Sequence, residues 1–106
     1  MALPVRIFED LNMNIMFPAD APAYRGSNLT VVFAALVDGQ QVPCAISVEA
    51  LEDHFGAPPA DREGWMRAFD AGRGLIEAVA REHLEISHGS PVLLKSGHFP
   101  PGNVAG

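Results

Sequence analysis

Residues 29–47 read LTVVFAALVDGQQVPCAIS, two apolar runs separated by Asp38-Gly39. A type I′ turn needs positive φ at both central residues, and Asp-Gly is among the pairs that adopt it at least cost. The first run is rich in β-branched residues, which fit a pleated surface better than a helix. Strands at 29–37 and 40–46 are therefore predicted to form an antiparallel hairpin. A chain with such a ribbon near its middle must cover at least one apolar sheet face. The rest of the sequence has to supply the cover.

That cover is visible downstream. Ser47 is a good N-cap for VEALEDHF, and Gly56 stands at the C′ position where a left-handed residue ends a helix. Val48, Leu51 and Phe55 share one face of that short helix. After APPA (57–60), Asp61 is placed to cap a long helix over 62–86. At about 100° per residue, Trp65, Phe69, Gly72, Ile76, Val79, Ala80 and His83 line one face of it. Arg67, Asp70, Gly74, Arg81 and Glu85 lie opposite, and Glu63–Arg67 and Glu77–Arg81 have the favourable i,i+4 order. Gly72 on the apolar face implies a close approach of this helix to the sheet.

SHGSP (87–91) ends the helix, and VLLKS (92–96) reads as a last strand. Upstream, MNIMF (13–17) reads as a strand with Ile15 and Phe17 on one face, residues 2–8 allow another, and 18–28 reads as a loop. The 106 residues suit one domain, of which about 65% of the unfolded surface can be buried. The predicted architecture is α+β, a two-layer sandwich of mainly antiparallel sheet with two helices on one face, in the order β-β-β-α-α-β. Residues 1–96 form the domain, with 1–12 as an extra N-terminal segment, and 97–106 form a flexible tail.

The strand 29–37 places Val31, Phe33, Ala35 and Val37 on one face and Val32, Ala34 and Leu36 on the other. Antiparallel sheets with one wet face alternate apolar with polar residues, and this strand does not. Its second face therefore calls for cover by the N-terminal segment, by a loop, or by another protein such as a second copy. Pro43 lacks a ladder donor, so the strand 40–46 is predicted to be an edge or to carry a bulge.

Seven basic against thirteen acidic residues give a formal net charge of −6, with no basic cluster, so nucleic acid is not an expected partner. A single cysteine builds no disulfide framework, and no apolar stretch approaches the roughly 18 residues of a membrane span. The chain opens with no signal-peptide pattern either, and a cytoplasmic location without membrane contact is expected.

Chemistry centres on Cys44 and His54, ten residues apart. Cys44 alternates with Val42 and Ile46 toward the helices, where a thiol behaves as a small hydrophobe. His54 sits in the last turn of its helix, where the dipole favours it. We read both as structural. The rival reading is a small enzyme or thiol-dependent sensor with Cys44 as nucleophile and His54 or His83 as base. His83, in line with Trp65 and Ile76, reads as a hydrogen-bonded histidine near a helix end. Its functional alternative is an anion pocket above Gly72 rimmed by Arg73 and His83.

The histidines at 54, 83, 88 and 98 show no metal-ligand spacing with each other or with Cys44, and no cofactor is expected. GRG (72–74) lies inside a helix without a following lysine, and Ser47, Ser87, Ser90 and Ser96 lack a nucleophile-elbow context. Glu52 and Asp53 are adjacent on a helix and diverge. No catalytic constellation is legible.

MFP, VVFAALVDGQQVPCAIS, EALEDHFGA, FDAGRGLIEAVA and VLLKS together resemble the small bacterial family called domain of unknown function 1488. The resemblance spans about Met13 to Ser96 and is most specific in the hairpin and the EALEDHFGA block. It implies a cytoplasmic bacterial protein of small α+β fold with no assigned activity, so no functional residue carries over. Gly72 departs from the asparagine expected more often before the arginine. The reading that follows is a non-enzymatic module that contacts itself or another protein.

Overall fold

The computed structural model describes residues 13–99. Seven regular elements follow one another: β1 (Ile15–Met16), β2 (Ala23–Arg25), β3 (Thr30–Val37), β4 (Gln40–Ser47), α1 (Val48–His54), α2 (Arg62–Ser87) and β5 (Val92–Leu94). A 3₁₀ turn at Ser96–His98 completes the described chain. The fold is α+β, a five-stranded, mostly antiparallel sheet with two helices. The expected strand at 2–8 falls outside the described residues.

β3 and β4 form the predicted hairpin, in register from Thr30↔Ser47 to Val37↔Gln40. Asp38 and Gly39 have φ of 52° and 83°, as the turn requires. The Asp38 carboxylate accepts from Asn14 N–H at 3.0 Å, and Asp38 N–H donates to Asn14 C=O at 2.8 Å, which fastens β1 beside the turn. β1 and β2 pair with opposite ends of the same edge of β3. The reading of 18–28 as a continuous loop is thus corrected by β2. Its pattern is too short to show periodicity, and its pairing depends on an edge offered by β3.

β5 runs parallel to β4, with Cys44↔Val92, Ala45↔Leu93 and Ile46↔Leu94. A parallel neighbour needs a long crossover, and α1 and α2 provide it. The expectation that β4 is an edge or bulged holds at Pro43, where only β3 pairs it, and is corrected from Cys44 onward, where β4 is internal, with unbroken register to β3. Pro43 stands just outside the stretch paired with β5. An antiparallel ladder alternates its bonding pairs, so the donor-less nitrogen belongs on the side away from β3, where no strand asks for it.

One face of the sheet carries the core. Val31, Phe33, Ala35, Val42, Cys44, Ile46, Val92 and Leu94 are buried there with Leu51, Trp65, Phe69, Ile76, Ala80 and Leu84 from the helices. Phe33 meets Phe69 at 5.3 Å between ring centroids. Ser47 caps α1, its hydroxyl accepting from Ala50 N–H at 3.1 Å, a contact worth about 1 kcal/mol. Asp61 makes no side-chain cap on α2 and instead lies 4.0 Å from Arg67. α2 ends with His88 and Gly89 both at positive φ, so HGS is a left-handed stop.

Three further expectations are corrected by tertiary contacts. Gly72 admits Phe55, the residue that ends α1, and not the sheet; a Cβ there would overlap the Phe55 ring, lying 2.6 Å from Cε1. Arg67 and Arg81 do not take up their expected i−4 glutamates: Arg81 donates to Ile15 C=O at 3.0 Å, and the i,i+4 pair that forms is Arg73–Glu77 at 2.8 Å. Residues 97–99 are not loose, because Phe99 is only 4% exposed.

Candidate functional site

Cys44 is 1% exposed, in the middle of β4. Its Sγ donates to Val42 C=O at 3.8 Å, and burial pushes the thiol up to about 11. A thiolate is the nucleophilic form, so this environment opposes activation at neutral pH. Neither His54 nor His83 hydrogen-bonds the thiol.

His54, His83 and His98 gather instead around the C-terminal turn. His54 stacks on Phe99 at 5.6 Å, and its Nδ1 is buried without a partner. His83 meets His98 edge-on at 4.6 Å. Nδ1 of His98 accepts from Lys95 N–H at 2.9 Å. Beside them Ser96 donates to Asp53 at 2.7 Å.

Arg73 points another way. Its Nε donates to Glu77, and its terminal nitrogens donate to Asp20 C=O at 2.9 Å and Pro18 C=O at 3.0 Å. The space over Gly72, where an anion pocket was considered, holds the Phe55 ring. The structure therefore separates the sequence candidates: Cys44 lies in the core, His54 and His83 at the C-terminal turn, and Arg73 against the 18–20 segment. No cluster of three or more histidine, cysteine, aspartate or glutamate side chains able to hold a metal occurs among the described residues. No described helix is long and apolar enough to cross a membrane.

The outer face of the sheet is the surface with the clearest character. Cross-strand partners share a face. Val32, Ala34 and Leu36 of β3 thus stand with Ala45 of β4, Met16 of β1 and Leu93 of β5. Met16 is 57% exposed and Leu93 45%, while the four others are half-buried. None of the thirteen acidic residues lies in any of the five strands, and Arg25 is their single charge. An open cleft of about 250 Å³ enters this face beside Asp20, Val32, Ala34, Gln41 and Pro43. A second, of about 380 Å³, lies at the open edge of β4 near His88 and Pro91.

Sequence reasoning marked the apolar second face of β3 but missed Met16 and Leu93, because their neighbours depend on pairing. His98 and Phe99 were also missed. HFP has no periodicity to display, and the only signal was an aromatic residue in a supposed tail.

A mixed sheet covered on one side by two helices, with a largely apolar second side, defines a small α+β domain. The chain belongs to the family described as protein of unknown function (DUF1488), whose model matches residues 15–94. It is similar in fold to a protein of unknown function from that family in Shewanella loihica PV-4, solved as a crystal structure. The TM-score is 0.68 at 20% identity, covering 79% of this chain and 96% of the other. No curated protein matches the chain.

Proposed function

We propose that this chain is a non-enzymatic contact domain of the bacterial cytoplasm that self-associates through the outer face of its sheet. The observation that supports this is the largely apolar face, free of strand carboxylates and carrying Arg25 alone at its β2 end, of a protein whose formal net charge is −6. Like charges facing each other oppose association, and the strands of this face bring no carboxylate to the contact and one arginine at its end. Two such sheets pack face to face about 10 Å apart, and a two-fold axis makes the contact self-complementary.

The size of the face sets the strength. The eight residues of β3 extend about 27 Å, and four strand rows about 4.8 Å apart span about 19 Å. Roughly 500 Å² per copy is then available, below the roughly 800 Å² of a standard interface. A reversible dimer is expected, half-associated on the order of tens of micromolar.

Sedimentation velocity across micromolar concentrations tests it. The wild-type protein should move from monomer to dimer as concentration rises. Met16→Glu and Leu93→Glu should remain monomers with unchanged circular dichroism, since both side chains are already exposed in one copy. A wild-type chain that stays monomeric throughout would remove the second copy as occupant; a different protein bound at the same face would then be the partner.

A further inference from the structure

The last described segment is held on the helices by contacts that a proton can disturb. Ser96 donates to Asp53 of α1 at 2.7 Å, and Lys95 N–H donates to Nδ1 of His98 at 2.9 Å. The His98 ring stands edge-on to His83 of α2, 4.6 Å away. Phe99, 4% exposed, lies against His54 at 5.6 Å and edge-on to Phe55 at 5.3 Å, both contributed by the end of α1. Phe55 in turn fills the space over Gly72. Phe99 is therefore the outer layer of the aromatic contact that joins the two helices.

An imidazole nitrogen accepts a hydrogen bond only while it carries no proton. A protonated His98 would present N–H groups on both sides, leaving Lys95 N–H without its acceptor. The groups around it do not compensate. His83 faces it from α2 and Lys95 adjoins it on its own segment; from α1, His54 is turned to Phe99. Asp53, the carboxylate of α1 nearest this segment by its contacts, is engaged by Ser96.

We propose that Lys95–Phe99 is a proton-sensitive latch, in which protonation of His98 releases the turn and lifts Phe99 from its seat on His54 and Phe55. Release uncovers an apolar surface on the helix layer. The latch does not rest on association through the sheet.

The direction of the response follows from the neutral form being the docked one. Burial first, then the charges of His83 and Lys95, lowers His98 from its usual 6.5. The docked segment thus binds the proton less tightly than the released one. Docking is complete above about pH 6.5 and weakens as pH falls below it.

Amide hydrogen exchange between about pH 8 and about pH 5, corrected for intrinsic rates, reads the latch through Lys95 and the sheet through Ile46. Wild-type protein should lose Lys95 protection as pH falls below about 6.5 while Ile46 stays protected. His98→Asn supplies a carbonyl oxygen that accepts from Lys95 N–H without titrating, and should hold its protection at every pH. Phe99→Ala should leave Lys95 unprotected throughout. Independently of any variant, the NMR titration midpoint of the His98 ring should coincide with that of the Phe99 ring signals. Flat wild-type protection, an equal loss in His98→Asn, joint loss at Ile46, or a Phe99 response unrelated to the His98 midpoint would overturn the latch.

Discussion

Adding a methyl group at Gly72 sets two effects of opposite sign against each other. Alanine favours an exposed helix interior by about 1 kcal/mol over glycine. Here its Cβ would overlap the Phe55 ring, which is held in place by Phe99. Overpacking of this kind costs about 1–3 kcal/mol, so it should win. Gly72→Ala is expected to lower the urea midpoint, and adding Phe55→Leu should recover part of the loss. A Gly72→Ala protein at least as stable as wild type would mean that the ring moves freely. Cys44 gives the other test at this scale. With the thiol pushed from 9.0 up to about 11 by burial, the folded state holds its proton more tightly than the unfolded one. That contribution is complete below about pH 9 and is lost as pH rises toward about 11. Native labelling by a thiol reagent should proceed no faster than unfolding, and rapid labelling below about pH 7 would restore Cys44 as a nucleophile.

Between elements, arginines of α2 do what a helical wheel cannot show. Arg73 joins the 18–20 segment to the helix with two donors on backbone carbonyls and a third on Glu77. Arg81 holds β1 in the same manner through Ile15. Arg73→Ala should cost about 1–3 kcal/mol, the range for charge-assisted bonds, and speed amide exchange in Ala23–Arg25. Arg73→Lys should not rescue it, because an ammonium lacks the planar fork that meets three separate acceptors. Unchanged exchange in both variants would mean that β2 is held by its pairing with β3 alone. The contrast with the hairpin shows what was legible beforehand. Asp38-Gly39, the alternation of β3, the Ser47 cap and the apolar stripe of α2 are local signals, written within one turn or one period. The β2 strand, the parallel seat of β5, the Arg73 contacts and the docking of Phe99 join residues far apart in the chain. Gly72 lay between these cases: its presence announced a close approach, but only the fold shows that Phe55 is what approaches. The candidate residues were likewise visible one at a time, and their separation was not.

At the scale of the molecule, the separation of charge from the strands makes a prediction of its own. Two copies each carrying a formal −6 repel at long range even when the surfaces that touch are largely apolar. The Debye length falls from about 30 Å at 0.01 M salt to about 10 Å at 0.1 M, so added salt should remove repulsion and leave the apolar contact in place. Dimerisation through the sheet should therefore strengthen between about 0.01 and 0.3 M salt, as read by the concentration at half-association in sedimentation. A contact built on ion pairs would weaken over the same range, and so would binding to a nucleic acid, where released counterions drive association. The salt series thus distinguishes the outer sheet face from any charged surface even before variants are made. If salt weakens the dimer, the contact involves the charged helix faces, and Met16→Glu should then leave association intact. If salt strengthens it and Met16→Glu abolishes it, the apolar side of β3 that the helices leave bare has found its cover in a second copy.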